Sequence, residues 1–324
     1  MSQFLTPSNA EYPIEFSRPS ILVLGATGAQ GGSVARALLK SNHYTVCCLT
    51  RNPLSEKALA LREEGAVIVA GDLDDKESLL AAMEGCYGVF GLTNFWEHFD
   101  KEWQQGRNLA EAALATGVKH LIYSGLPGYN RLSNGRYSVP HCDIKAELEQ
   151  YIKDLGVPAS FVHIAFYYEN FFDFFPPRKG ADGSYYFGFS QGNTPLAMAS
   201  AEDMGAIVAL MFGNPALYLG KTVGIVGEDR TCTEYAAIMS RVLGRTIRYN
   251  YIPRDVFAQL GFPGAEELAN MFEVQRLHIP HRRGDLLNCY HMNPRMQSFE
   301  VWLQRNKHKF FQEELTTRAE LLAQ

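Results

Sequence analysis

From residue 20 to about 125, short apolar runs alternate with stretches whose apolar positions recur at helical spacing. The runs SILVLG (20–25), TVCCLT (45–50), AVIVAG (66–71), YGVFGLT (87–93) and KHLIYSG (119–125) predict strands. The segments near 29–41, 55–64, 75–84 and 98–116 predict helices between them. Strands that read as continuous Val/Ile/Leu runs belong to parallel sheets covered on both faces. Right-handed crossovers wind such a sheet in two directions from its first strand. The expected fold class is α/β, a doubly wound parallel sheet of the Rossmann type.

A helix over 141–154 and a strand over 158–165 extend the pattern, which then loosens. Eight aromatic residues lie between Phe161 and Phe175, and Pro176, Pro177 and Gly180 break the chain after them. Most of these rings are expected in the core. There follow a hairpin at SYYFGF (184–189) and a helix begun by Ser200, with Asp203 completing a capping box. A strand over 221–226, a helix from Thr231 to about 243, a strand over 246–250 and helices near 253–260, 264–275 and 298–309 complete the reading. The division is a polar tail (1–18), a nucleotide-binding unit (19–165) and a smaller α+β C-terminal lobe (166–324). That lobe is expected over the carboxyl ends of the sheet, with some elements returning to it.

The chemistry concentrates in the first crossover. Gly25-Ala26-Thr27-Gly28-Ala29-Gln30-Gly31 follows the first strand and opens the first helix. Gly25 permits a sharp turn, Gly28 lets the backbone approach a pyrophosphate, and Gly31 lets the helix pack close to the sheet. Free N–H groups at a helix start hold phosphates. At the end of the second strand the chain reads Thr50-Arg51-Asn52, without the carboxylate that accepts from the ribose hydroxyls of NAD. The guanidinium of Arg51 suits a 2′-phosphate, so NADP(H) is expected over NAD(H). Asp72 could accept from the adenine amino group and Leu73 pack on the ring, while Asp74 or Asp75 starts the next helix. Thr93, Asn94, Phe95 and Trp96 follow the fourth strand, where their backbone would line the nicotinamide ribose. Tyr167, Tyr168 and Asn170 follow the sixth, where such sheets open their ligand crevice.

Composition narrows the class further. The 324 residues are 46% hydrophobic, as a folded globular chain requires. A net charge of −5, from 30 basic and 35 acidic residues, argues against a dedicated nucleic-acid binder. His281-Arg282-Arg283 is the densest basic spot and reads as a solvated loop. No apolar run reaches the ~18 residues of a membrane span, and the first eighteen residues lack the features of a signal peptide. The six cysteines form no C-x-x-C pair, so reduced thiols, a cytoplasmic location and no metal site are expected. Pro280 spoils any helical metal face between His278 and His281.

The strings GATGAQGGSVAR, TRNP, TNFWE, YSGL, YYENFF and GFPGAEELANMF, spread over residues 20 to 310, resemble the NmrA-like family, an atypical branch of the short-chain dehydrogenase/reductase superfamily. The resemblance implies an NADP-binding Rossmann domain, a small C-terminal lobe, and regulation more often than turnover. By matched position it implies cofactor contacts at Gly25, Ala26, Thr27, Gly28, Ala29, Gln30, Arg51, Asp72, Leu73, Thr93, Asn94, Phe95, Lys145, Tyr167, Tyr168, Glu169 and Asn170. Working members of the superfamily place a Tyr four residues before a Lys, on one helical face. This chain has His141 at that place and keeps Lys145, with Ser124 at the end of the fifth strand as a further carbonyl-polarising group. An imidazole is an acid/base group of a different reach from a phenol. Two functions follow as expectations. One is a redox sensor with little or no dehydrogenase activity, in which NADP(H) orders loops near 93–105 and 126–140 and alters the surface offered to a regulatory protein. The alternative is an NADPH-dependent reductase of a hydrophobic carbonyl, enone or quinone.

Overall fold

The computed structural model describes residues 18–311, His98 and Pro280 excepted. The expected polar tail lies outside these residues. The first half alternates β1 (Ser20–Val23), α1 (Ala29–Ser41), β2 (Thr45–Thr50), α2 (Glu56–Glu63), β3 (Val67–Ala70), α3 (Lys76–Met83), β4 (Gly88–Gly91), α4 (Glu102–Ala115) and β5 (His120–Ser124). A single turn, α5 (Tyr129–Leu132), then leads into α6 (Pro140–Asp154) and β6 (Ala159–Ile164). With the strand Thr222–Ile225 beyond β6, the central sheet has seven strands in the order β3-β2-β1-β4-β5-β6-Thr222–Ile225. All its pairings are parallel.

Period-two alternation explains why both faces are covered. Along β1, Ile21 and Val23 face a layer formed by α1 and the helix Met204–Gly213, while Leu22 and Leu24 face the layer of α3, α4 and α6. Small residues let these layers close. A Cβ on Gly106 would fall 2.3 Å from Leu148, and one on Gly205 would fall 2.1 Å from the carbonyl oxygen of Ser33. The Ser33 hydroxyl also accepts from the Gly205 N–H at 2.9 Å and donates to the Glu202 carbonyl at 2.6 Å.

The C-terminal region has its own aromatic-rich core, in which Tyr168, Phe171, Phe189, Phe272, Phe299 and Trp302 are packed together. Three expectations here are corrected. The segment 184–189 is one strand, Tyr185–Phe189, pairing antiparallel with Arg178–Lys179 and parallel with Ile247–Tyr251. Ser200 opens a 3-10 turn rather than a capping box: its hydroxyl accepts from the Glu202 N–H, while Asp203 accepts instead from the Gln297 N–H at 2.9 Å. Arg282 is not a solvated loop residue. Its backbone N–H donates to Asp229 at 2.8 Å and its guanidinium to Asp285 at 2.8 Å, just before a helix over Arg283–Met292 that the sequence pattern did not signal.

His120, at the start of β5, is fully buried, with Nε2 at 2.8 Å from the Ser160 hydroxyl and its ring edge-on to Phe212. Burial holds the imidazole down to about 4. The unfolded chain takes up that proton near 6.5. Between those values the unfolded state binds more protons, so stability is expected to fall as pH drops from about 6.5 to about 4. Urea unfolding of the protein and of His120→Leu checks this, the variant losing that part of the pH dependence. Ser160 keeps a partner in the variant, since its hydroxyl also donates to the Tyr218 carbonyl.

Candidate functional site

The glycine turn sits where β1 meets α1. Gly25 has φ +60°, a conformation that side chains rarely adopt, and a Cβ on it would meet Leu92 at 2.9 Å. A Cβ on Gly31 would lie 2.3 Å from the Gly25 carbonyl oxygen, inside van der Waals contact. Gly28 immediately precedes α1 and offers no side-chain cap. Among the described residues no side chain caps the first-turn amides, the arrangement that receives an anion.

This turn opens into a crevice of about 1160 Å³ that runs along the carboxyl ends of the strands. Of the residues expected at the site, Gly25, Thr27, Gly28, Ala29, Gln30, Arg51, Asp72, Leu73, Thr93, Asn94, Phe95, Ser124, His141, Lys145, Tyr167 and Asn170 line it. Ala26, Tyr168 and Glu169 do not. Ala26 is in the sheet core. Tyr168, one residue past the short strand Phe166–Tyr167, is fully buried between Phe299 and Trp302. The Glu169 carboxylate accepts from the Ser200 hydroxyl at 2.7 Å and faces the lobe. At these three positions the side chains stand outside the crevice lining.

At one end, Arg51 stands just past β2. Its Nη2 meets Glu97 Oε1 at 2.5 Å, and Glu97 Oε2 accepts from the Asn94 side chain at 3.3 Å. Glu97, with Asp72 and Asp74 nearby, holds the guanidinium above its ordinary range. Lys57 lines the same end from the first turn of α2, whose start Ser55 caps through its hydroxyl. Sequence reasoning passed over Lys57; the cap residue two positions before it was the available signal. Asp72 Oδ1 accepts from the Asp74 N–H, and Asp75 caps α3 through the amides of Glu77 and Ser78.

Farther along, Lys145 projects from α6 and donates to the Thr93 carbonyl at 2.9 Å, the Thr93 hydroxyl at 2.9 Å and Glu102 at 2.5 Å. Glu102 is completely buried, and its second oxygen has no partner among the described residues. Thr93 in turn donates to Glu102 at 2.5 Å and lies 3.2 Å from the Tyr123 hydroxyl. The sequence gives no sign that Glu102 would be the buried counter-ion. Ser124 donates to Gln30 Oε1 at 2.6 Å, and the Gln30 amide donates to the Tyr167 hydroxyl, tying β5 to α1 and to the chain after β6. Burial pushes the Tyr167 phenol up to about 12.

His141 lies at the start of α6, just past Pro140, where helix amides lack intrahelical acceptors. Glu267, from the helix Ala265–His278, accepts from both the His141 backbone N–H at 2.7 Å and ring Nδ1 at 2.6 Å. The ring packs against Phe95 and Trp96, and Trp96 lies so close to Gly264 that a Cβ there would meet it at 2.8 Å. GFPGAEELANMF thus closes over the loop after β4. Past this point the crevice is lined by Leu126, Tyr129, Phe166, Phe174, Phe175, Leu268 and Met271, with His163, Gln275 and Arg282 as polar groups among them.

Among the described residues, no helix is long and apolar enough to cross a membrane, and no cluster of three or more His, Cys, Asp or Glu could hold a metal ion.

Known proteins share this architecture. A solved NmrA structure, described as a negative transcriptional regulator in complex with NADP, superposes with a TM-score of 0.76 at 21% identity, covering 89% of this chain and 95% of that one. An NmrA-like family domain-containing protein of Dictyostelium discoideum is 36% identical over 241 residues, 72% of this chain and 80% of its own. An NmrA-like family domain-containing oxidoreductase, FrzB, of Cladobotryum sp. is 31% identical over 276 residues, 78% of this chain and 82% of its own. The NmrA-like family model matches residues 17–313. The chain belongs to the NmrA-like family.

Proposed function

We propose that this chain binds NADP(H) along the crevice and uses it to reduce a flat, apolar acceptor held in the chamber beyond. The cradle fits a dinucleotide: Gly31 leaves no room for a side chain at the start of α1, Gly28 lets the backbone lie bare, and Arg51 and Lys57 supply cations beyond β2. The observation that carries the reading is continuity. One cavity of about 1160 Å³ runs from the glycine turn into an aromatic chamber, beyond the roughly 300–1,000 Å³ of a single small-molecule site. The family relative named an oxidoreductase is consistent with it.

When bound, NADPH supplies a hydride. The protein's part is to orient the acceptor, keep water away from it and deliver a proton. Phe166, Phe174, Phe175 and Leu268 offer apolar walls for a planar molecule. Glu267, as an acceptor, fixes a hydrogen on His141 Nδ1 and leaves Nε2, which bonds to no described residue, to take up a proton from solvent and pass it to the acceptor from the imidazolium form. Lys145 and Ser124 are already engaged by Glu102 and Gln30, so His141 is the better proton donor.

The test follows NADPH oxidation with a panel of quinones, enones and aromatic carbonyls. Turnover is expected with at least one class, and His141→Asn is expected to lower kcat by about 10²-fold. A second reading, the redox sensor, draws on the same engagement of Lys145 and on the absent tyrosine. NADPH uptake without oxidation by any acceptor, together with altered proteolysis in loops 93–105 and 126–140, would favour it over reduction.

A further inference from the structure

We propose that Glu97 is an internal stand-in for the 2′-phosphate and sets how far the chain discriminates NADP(H) from NAD(H). The proposal rests on the dinucleotide reading above. Arg51 stands at the tip of β2, and in the structure its guanidinium is engaged by the Glu97 carboxylate at 2.5 Å. Asn94 holds the other carboxylate oxygen, and the neighbouring Trp96 is packed against His141 and beneath Gly264. The carboxylate is therefore presented to Arg51 by an anchored loop. A guanidinium receives a carboxylate or a phosphate through the same planar donors. A phosphate, carrying about −1.5 to −2 charges, displaces a single carboxylate; a ribose hydroxyl does not. NAD(H) accordingly binds with the Arg51–Glu97 pair intact, whereas NADP(H) must break it.

The pair is about half exposed, with side-chain accessibilities of 57% and 41%, so the competition is modest in size and the fold does not depend on it. Calorimetric titration of the full chain with NADPH and with NADH, for the wild type, Glu97→Gln, Arg51→Ala and the double variant, tests the idea at low salt. Glu97→Gln is expected to tighten NADPH binding about three- to five-fold while moving NADH by less than two-fold. That gain is expected to vanish when Arg51→Ala is also present. An unchanged NADPH affinity in Glu97→Gln, or an equal change for both dinucleotides, overturns the proposal and leaves the dinucleotide reading standing. Uptake of neither dinucleotide by the wild type overturns both.

Discussion

Lysine-to-alanine replacement at position 145 is expected to destabilise the protein by about 3–5 kcal/mol, before any effect on turnover is considered. Glu102 is wholly buried, one of its oxygens lacks a partner among the described residues, and Lys145 is the cation that balances it. Removing the ammonium strands a carboxylate in the protein interior. Adding Glu102→Gln to Lys145→Ala is expected to recover much of the loss, because a neutral amide is far cheaper to bury than an unpaired charge. Chemical denaturation of the two single variants and the double variant checks this as a cycle. Equal stability of Lys145→Ala and the wild type would show that the pair is not the interior counter-ion described above. Lost activity in Lys145→Ala reports on catalysis only in molecules shown to remain folded.

Gly31→Ala is the second large effect. The added methyl would overlap the Gly25 carbonyl oxygen at 2.3 Å, a backbone atom that no side-chain rotation can move aside. Helix α1 must then lift from β1, carrying its first-turn amides out of register with the glycine turn. The expected result is at least a 100-fold loss of dinucleotide affinity and about 1–3 kcal/mol of stability. Calorimetric titration and thermal unfolding measure the two separately. Gly85→Ala is the contrasting control: this glycine, unlike Gly31, has a positive φ, but a Cβ there meets nothing within 4 Å. It is expected to strain its own turn and leave dinucleotide binding unchanged.

The central sheet was legible because its signal is local. Each strand is a short apolar run and each helix an amphipathic one, so β1 to β6 and α1 to α4 and α6 fall within a few residues of the pattern. The glycine turn was legible because steric need fixes residue type at Gly25 and Gly31. The counter-ions were not. Glu97, Glu102 and Glu267 read as ordinary surface acids, and only the fold brings them to Arg51, Lys145 and His141. Tyr168 shows how adjacency in sequence differs from adjacency in space. It stands next to a crevice residue in sequence, but the side chain alternates away from Tyr167 into the lobe. Arg282 misled for a related reason: a dense basic triplet suggests solvent, whereas Asp229 and Asp285 hold this member of it in place.

The seam between Gly205 and Ser33 bears on how the chain can be divided. Helix Met204–Gly213 is encoded in the second half, yet it supplies the cover for the apolar side of α1. A fragment ending near residue 165 would keep every glycine of the cradle and present Val34 and Leu38 to water. The cradle is therefore not a portable module: a chimera that grafts a foreign lobe onto residues 18–165 has to carry this helix, and its glycine, along with the graft.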